Sequence, residues 1–267
     1  MLLKETGFTF NGEHSYNNYG LIYSEKDAGH AIIPQIRRNE YQIAGQSGSV
    51  LFAGEEYQVM SFSGTLYPHE EYETQADAQQ LIRRVQAWLT AGRCPLIFDY
   101  EPTRYYMAQL SKQSAWSLKN WFGGEIGITF EAQPFAYDVM ESEWTGTGST
   151  SITLSPGMVT LQPAPAVIEI TNTDAAQLTG VTVSLDSVQK IVFSGLTVAE
   201  NGILRISSET PIGATVTASG STQDVMAKCT KFSPITLSAG VHTVAIALTY
   251  GTGNKAASVK LKARGRY

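Results

Sequence analysis

Three stretches in the C-terminal half alternate apolar and polar residues, and that period confines them to strands. Val181, Val183 and Leu185 alternate with Thr182, Ser184 and Asp186. His242, Val244, Ile246, Leu248 and Tyr250 alternate with small or polar residues, and Val259, Leu261 and Ala263 with Lys260, Lys262 and Arg264. Successive side chains of a strand point to opposite faces, so each stretch has one buried and one wet face. Asn201-Gly202, Gly213, Gly220, Ala239-Gly240 and Gly251-Thr252-Gly253 supply turn residues between them. Many short strands with no helical period between them predict a β-sandwich or jelly roll.

The N-terminal half carries a different signal. Ala78, Leu81, Ile82, Val85, Trp88 and Leu89 recur at helical spacing behind Thr74, a residue suited to cap a helix. Asp77 falls in the first turn, and Gly92 and Pro95 follow as stop signals. Residues 49–63, 96–100, 105–110 and 125–132 read as strands, and 114–121 as a shorter helical turn. The half is therefore α+β, a sheet with one helix packed across it. Composition also divides the chain. Residues 1–138 hold 22 of the 27 aromatic residues and a net charge of −6, against five aromatics and +1 for residues 139–267. These spans are read as two domains. The Gly-, Ser- and Thr-rich stretch 141–155 is read as a connector plus an irregular first strand.

Several functions find no support in the residues. The net charge of −5 argues against general binding to nucleic acid, which needs a basic surface. No apolar run approaches the roughly 20 residues of a membrane span. Met1-Leu2-Leu3-Lys4-Glu5 sets charges where the core of a Sec signal would sit, so no signal peptide is expected. Cys94 and Cys229 match no metal spacing. His14, His30, His69 and His242 form no helical pair with another ligand, and no glycine-rich phosphate loop is present. His69 is read as a solvated loop residue, and Gly45-Gln46-Ser47-Gly48 as a β-turn, since it lacks the spacing of a nucleophile elbow. The carboxylate pairs Asp99 with Glu101 and Glu141 with Glu143 are read as solvated faces. No enzyme, cofactor or metal site is expected. Phe193 and Tyr250 sit in apolar patterns and belong to the core. That leaves Trp144 and Tyr267 as candidate glycan contacts in the second half.

Phe8-Thr9-Phe10-Asn11-Gly12 followed by Tyr19-Gly20-Leu21 resembles the start of siphophage distal tail proteins, the hub adaptors of the baseplate. The segment from Arg37-Arg38-Asn39-Glu40-Tyr41 through Ile43, Gly45, Gly48 and Leu51 resembles the family's "R…I.G..G.L" pattern. The helix ending Val85-Gln86-Ala87-Trp88-Leu89, with Leu96, Asp99 and Tyr105-Tyr106-Met107-Ala108 after it, is similar to its helix and following strands. Lys231-Phe232-Ser233-Pro234-Ile235-Thr236-Leu237 through Gly240 resembles the family's C-terminal turn, with His242 where Asn is frequent.

The resemblance implies a homohexameric ring at the virion tail tip, assembled in the host cytoplasm. It would join the tail tube protein to a tail-associated lysin, fibre or receptor-binding protein. Residues 1–138 would form the ring, and a galectin-like sandwich would project from it. Closed rings need two different patches on each subunit, with aromatic and Arg anchors at their centres. Tyr16, Tyr19, Tyr23, Arg37, Arg38, Tyr105 and Tyr106 are the candidates. The −6 of the first half fits a lumen that lets DNA pass. Lys255, Lys260, Lys262, Arg264 and Arg266 read as a solvated strand face or a contact for an acidic neighbour. The alternative function is a module binding host cell-wall carbohydrate.

Overall fold

The computed structural model describes residues 7–25, 34–37, 40–42, 44–45, 47, 49–51, 56–69, 72–111, 116–120, 123–251 and 256–267. His30, Arg38, Gln46, Gly48, Glu70, Glu71 and Lys255 lie outside the described residues. The fold is mainly β, and the chain divides into two compact units, Met1–Val139 and Met140–Tyr267.

The first unit is built on an eight-stranded antiparallel sheet. Its strands run in the order Glu13–His14, Phe8–Phe10, Cys94–Phe98, Arg104–Leu110, Gly123–Asp138, Met60–Pro68 and Leu21–Glu25. The eighth, Trp116–Asn120, also pairs with Gly123–Asp138. It replaces the expected helical turn at 114–121. Four residues paired with a long strand satisfy backbone groups that an isolated turn would leave open. The sheet curls enough for a ring of its second strand to meet one of its last: Phe8 and Tyr23 lie 5.2 Å apart, edge to face.

Helix Gln75–Leu89 covers the concave face with Ala78, Leu81, Val85, Trp88 and Leu89. Its start is fixed as the sequence indicates, with the Thr74 hydroxyl accepting from the Asp77 N–H and donating to the Asp77 carboxylate at 2.6 Å. Trp88 anchors the helix to the sheet. Its indole stacks on Phe8 at 5.4 Å and on Tyr19 at 4.5 Å, and Nε1 donates to the Phe10 carbonyl at 2.8 Å. Phe8, Phe10, Phe62, Phe98 and Phe130, all fully buried, fill the remainder. Part of the aromatic excess of this half is thus spent on the core.

In the second unit two sheets face one another. One carries Ser142–Thr147, Ala257–Ala263, Ala164–Asn172, Ile203–Ser207, Gly213–Ala218 and Ser221–Asp224 in that order, with Thr236–Leu237 joined to Ala164–Asn172. The other carries Thr150–Thr153, Thr243–Tyr250, Leu178–Leu185, Val188–Val198 and Cys229–Phe232. Inward residues of both sheets, Ile168, Leu204 and Leu261 against Val183, Phe193 and Ile246, form one core. The stretch read as a connector plus an irregular first strand holds two strands, Ser142–Thr147 and Thr150–Thr153. Trp144 pairs with Leu261, and Ile152 with Val244. Phe193 and Tyr250 are buried as expected.

One buried polar residue holds an end of this sandwich. Asn172 is fully buried; its Nδ2 donates to the carbonyls of Ala176 (2.9 Å) and Val198 (3.0 Å), and its Oδ1 accepts from the Asp174 N–H at 3.1 Å. Asn172→Leu should cost about 2–4 kcal/mol, because several backbone groups lose their partner away from water. Urea unfolding followed by the second unit's β-signal measures it. A loss below about 0.5 kcal/mol would contradict the assignment.

Candidate interaction surfaces and polar clusters

The sheet of the first unit sorts the tyrosines singled out in the sequence. Tyr23 lies on the concave side, 6% exposed, and is core; its cross-strand neighbours need the space, since a Cβ on Gly64 would sit 2.2 Å from its ring. Tyr106 also packs inward, its ring 4.8 Å from Phe62. Tyr105, next in the pleat, falls on the convex face and stacks on its cross-strand partner Tyr137 at 5.5 Å. Tyr57 and Phe135 pack edge to face at 5.0 Å, Phe135 lying two positions before Tyr137 on the same face of its strand. Arg37 lies on strand Ile36–Arg37, paired with Glu56–Tyr57.

Tyr16 and Tyr19 ride on the short helix Ser15–Tyr19. Tyr19 is enclosed: Trp88 covers one side, the Arg84 guanidinium lies 5.3 Å from the ring centroid, and its hydroxyl donates to Glu13. Burial, then the Glu13 carboxylate, push its phenol up to about 12. Tyr16 is half-buried and meets the exposed His69 ring edge to face at 5.2 Å. These residues, with Asn17, Asn18, Tyr72 and Gln80, line an open groove of about 600 Å³. So the structure buries Tyr23 in the core, packs Tyr19 and Tyr106 half-buried against it, and leaves Tyr16 and Tyr105 half-buried outside it. Sequence spacing alone does not say which face of the sheet a tyrosine occupies.

The candidate glycan contacts sit in different surroundings. Trp144 is 8% exposed, in the core, with Nε1 donating to the Pro156 carbonyl at 3.3 Å. It offers no free ring face for a sugar. Tyr267 is partly exposed and its hydroxyl donates to the Val159 carbonyl at 3.0 Å. A shallow recess of about 300 Å³ on the outer face of the second sheet is lined by Ser149, Thr150, Ser151, Thr182, Ser184 and Ala245–Ala247, without an aromatic ring.

The carboxylate pairs are committed to neighbours. Asp99 faces His14, and Glu101 accepts from Arg104 at 3.0 Å. Glu143 pairs with Lys260 at 3.0 Å and Glu141 with Arg264 at 3.7 Å. Glu169 takes Lys262 at 2.6 Å and Arg205 at 3.8 Å, and holds the Lys262 ammonium above its usual range. The basic strand 257–263 is therefore laced to acidic residues of both flanking strands. Among the described residues no group of three or more His, Cys, Asp and Glu is placed to hold a metal. No helix there is long and apolar enough to cross a membrane.

His242 joins residues far apart in sequence. Its Nδ1 lies 2.7 Å from Asp186 Oδ2, and Nε2 lies 3.0 Å from Ser238 Oγ. These are the spacings of a nucleophile, base and acid row. Nε2 also lies 3.1 Å from the Ser238 carbonyl, so both ring nitrogens face acceptors. The cluster clasps two loops, with Asp186 Oδ1 accepting from the Thr243 N–H at 2.9 Å. That backbone bond first, then His242, hold the Asp186 carboxyl below its ordinary value of 3.8. The contribution of Asp186 is then complete above that value and lost as pH falls through the lower folded one. Wild type should be more stable than Asp186→Asn at neutral pH, with the gap closing below about pH 4. Thermal melts across pH check it; a gap that widens in acid would refute the clasp.

Scans against protein-family models and against curated proteins returned no match. Among solved structures, the fold matches the crystal structure of the Dit (gp 19.1) protein of SPP1, described as a paradigm of hub adsorption apparatus in Gram-positive infecting phages. The match has a TM-score of 0.68 and covers 98% of each chain at 14% identity. At that identity the likeness is one of fold, and it runs through both units. The distal tail proteins that the sequence motifs resemble and the structure that the fold matches are the same kind of protein.

Proposed function

We propose that this chain is a structural component of a phage tail tip, a distal tail protein that works as a hub. The observation that carries the reading is the fold likeness to the SPP1 hub protein over 98% of both chains. A single sandwich is widely reused and would say little about function. A shared succession of helix-covered sheet and two-sheet sandwich is far more specific. The motifs at 8–21 and 231–240 support the same reading independently.

In this reading residues 1–138 close a homohexameric ring and residues 139–267 form a galectin-like domain outside it. The ring receives the tail tube on one side and a lysin, fibre or receptor-binding protein on the other. Its lumen is lined by the acidic first half, so passing DNA gains no counterion release from the wall. Contacts between subunits use the convex sheet face around Tyr105 and the groove margin at Tyr16. Tyr19 supports that margin, and Tyr23 and Tyr106 hold the sheet in shape behind it. The carbohydrate-binding alternative loses its main platform with Trp144 in the core.

Light scattering tests the ring. Six copies of the 29.0 kDa chain give about 174 kDa. Tyr105→Glu should shift the mass toward monomer while leaving the melting transition cooperative. Tyr23→Ala should instead destabilise the fold by about 3 kcal/mol. A monomeric wild type at high concentration, or a Tyr105→Glu variant of unchanged mass, would count against this interface.

A further inference from the structure

His14 caps the helix Ser15–Tyr19 through its ring. Nδ1 accepts from the backbone N–H groups of Tyr16 and Asn17, both at 3.1 Å. Nε2 lies 3.0 and 3.2 Å from the two oxygens of Asp99. A backbone N–H only donates and a carboxylate only accepts, so the hydrogen sits on Nε2 and the lone pair on Nδ1. The tautomer is set from both sides. The bond is returned by Asn18, whose Oδ1 accepts from the His14 N–H at 2.8 Å. The fit is close: a Cβ on Gly7 would lie 2.7 Å from Asp99 Oδ2 and 2.8 Å from His14 Cε1. The usual caps, Ser, Thr, Asp and Asn, keep their charge near neutral pH, whereas imidazole does not.

We infer that His14 is an acid-operated catch on the segment Ser15–Tyr19. Protonation places a second hydrogen on Nδ1, facing two N–H groups, so two acceptor contacts become donor against donor. Asp99 holds the imidazolium as an ion pair, so the ring stays with the carboxylate and releases the helix. The groups around the ring permit this. Asp99 comes from the turn after Cys94–Phe98, and Glu13, adjacent in the chain, is engaged with Tyr19. Gly7, just before the first strand, lies against the pair, the Phe8 N–H donates to Ser15 Oγ, and the helix itself carries no charge. A five-residue helix has few bonds of its own to resist the change. The consequence reaches the groove, whose wall includes Tyr16 and Asn17, while Ser15 and Tyr19 tie the same segment to Phe8 and Trp88.

Hydrogen exchange of the full chain, read by mass spectrometry on a peptide spanning 14–20 and corrected for intrinsic rates, tests the catch. Wild-type protection should fall about tenfold between about pH 7.5 and about pH 5. His14→Asn, whose amide oxygen caps without titrating, should remove the pH dependence and keep the protection. His69→Gln, which removes the other imidazole beside Tyr16, should leave the fall intact. Unchanged wild-type protection across this range would overturn the inference. So would an equal fall in His14→Asn, or ring nitrogen shifts showing Nδ1 protonated at neutral pH.

Discussion

An antiparallel sheet whose residues alternate apolar and polar must cover one face, and both units are solutions to that requirement. In the second unit a second sheet supplies the cover. In the first the sheet curls on itself and a single helix closes the opening. Trp88 makes that closure directional: stacking fixes its plane against Phe8 and Tyr19, and the bond to the Phe10 carbonyl fixes its depth. Each buried aromatic or large aliphatic contributes about 1.5–3 kcal/mol, so the rings and the aliphatics packed among them stabilise the unit together. The opposite faces carry Tyr105 stacked on Tyr137 in one unit and the Glu–Lys–Arg lacing in the other.

The local periods told a good deal. The helix over 75–89 was readable because its apolar stripe, the Thr74 cap and the Gly92 stop agree, and Phe193 and Tyr250 were readable as core from their places in alternating runs. The pairing of distant segments was not readable. Trp144 sits among Gly, Ser and Thr, and only its register opposite Leu261 makes it core. Trp116 and Leu118 are two apart, a spacing that four or five residues cannot distinguish from a helical turn. The tyrosines raised a similar difficulty, since Tyr105 and Tyr106 differ only in which side of the pleat they take. The contacts of His14 with Asp99 and of His242 with Asp186 span 85 and 56 residues, and nothing local announces either.

A tail-tip role asks a chain to be a shaped part: rigid within each unit, with surfaces for several neighbours. The polar clusters fit that demand. His242 faces acceptors through both nitrogens and draws two loops together, whereas His14 faces two donors and a carboxylate and caps a helix through its lone pair.

The central claim is that this chain sits at the end of a phage tail. Immuno-electron microscopy of particles, with antibody raised against the purified chain, addresses it directly. The expected result is label confined to the tail end distal to the capsid. Label on the capsid or along the tube, or none on intact and partly disassembled particles alike, would contradict it.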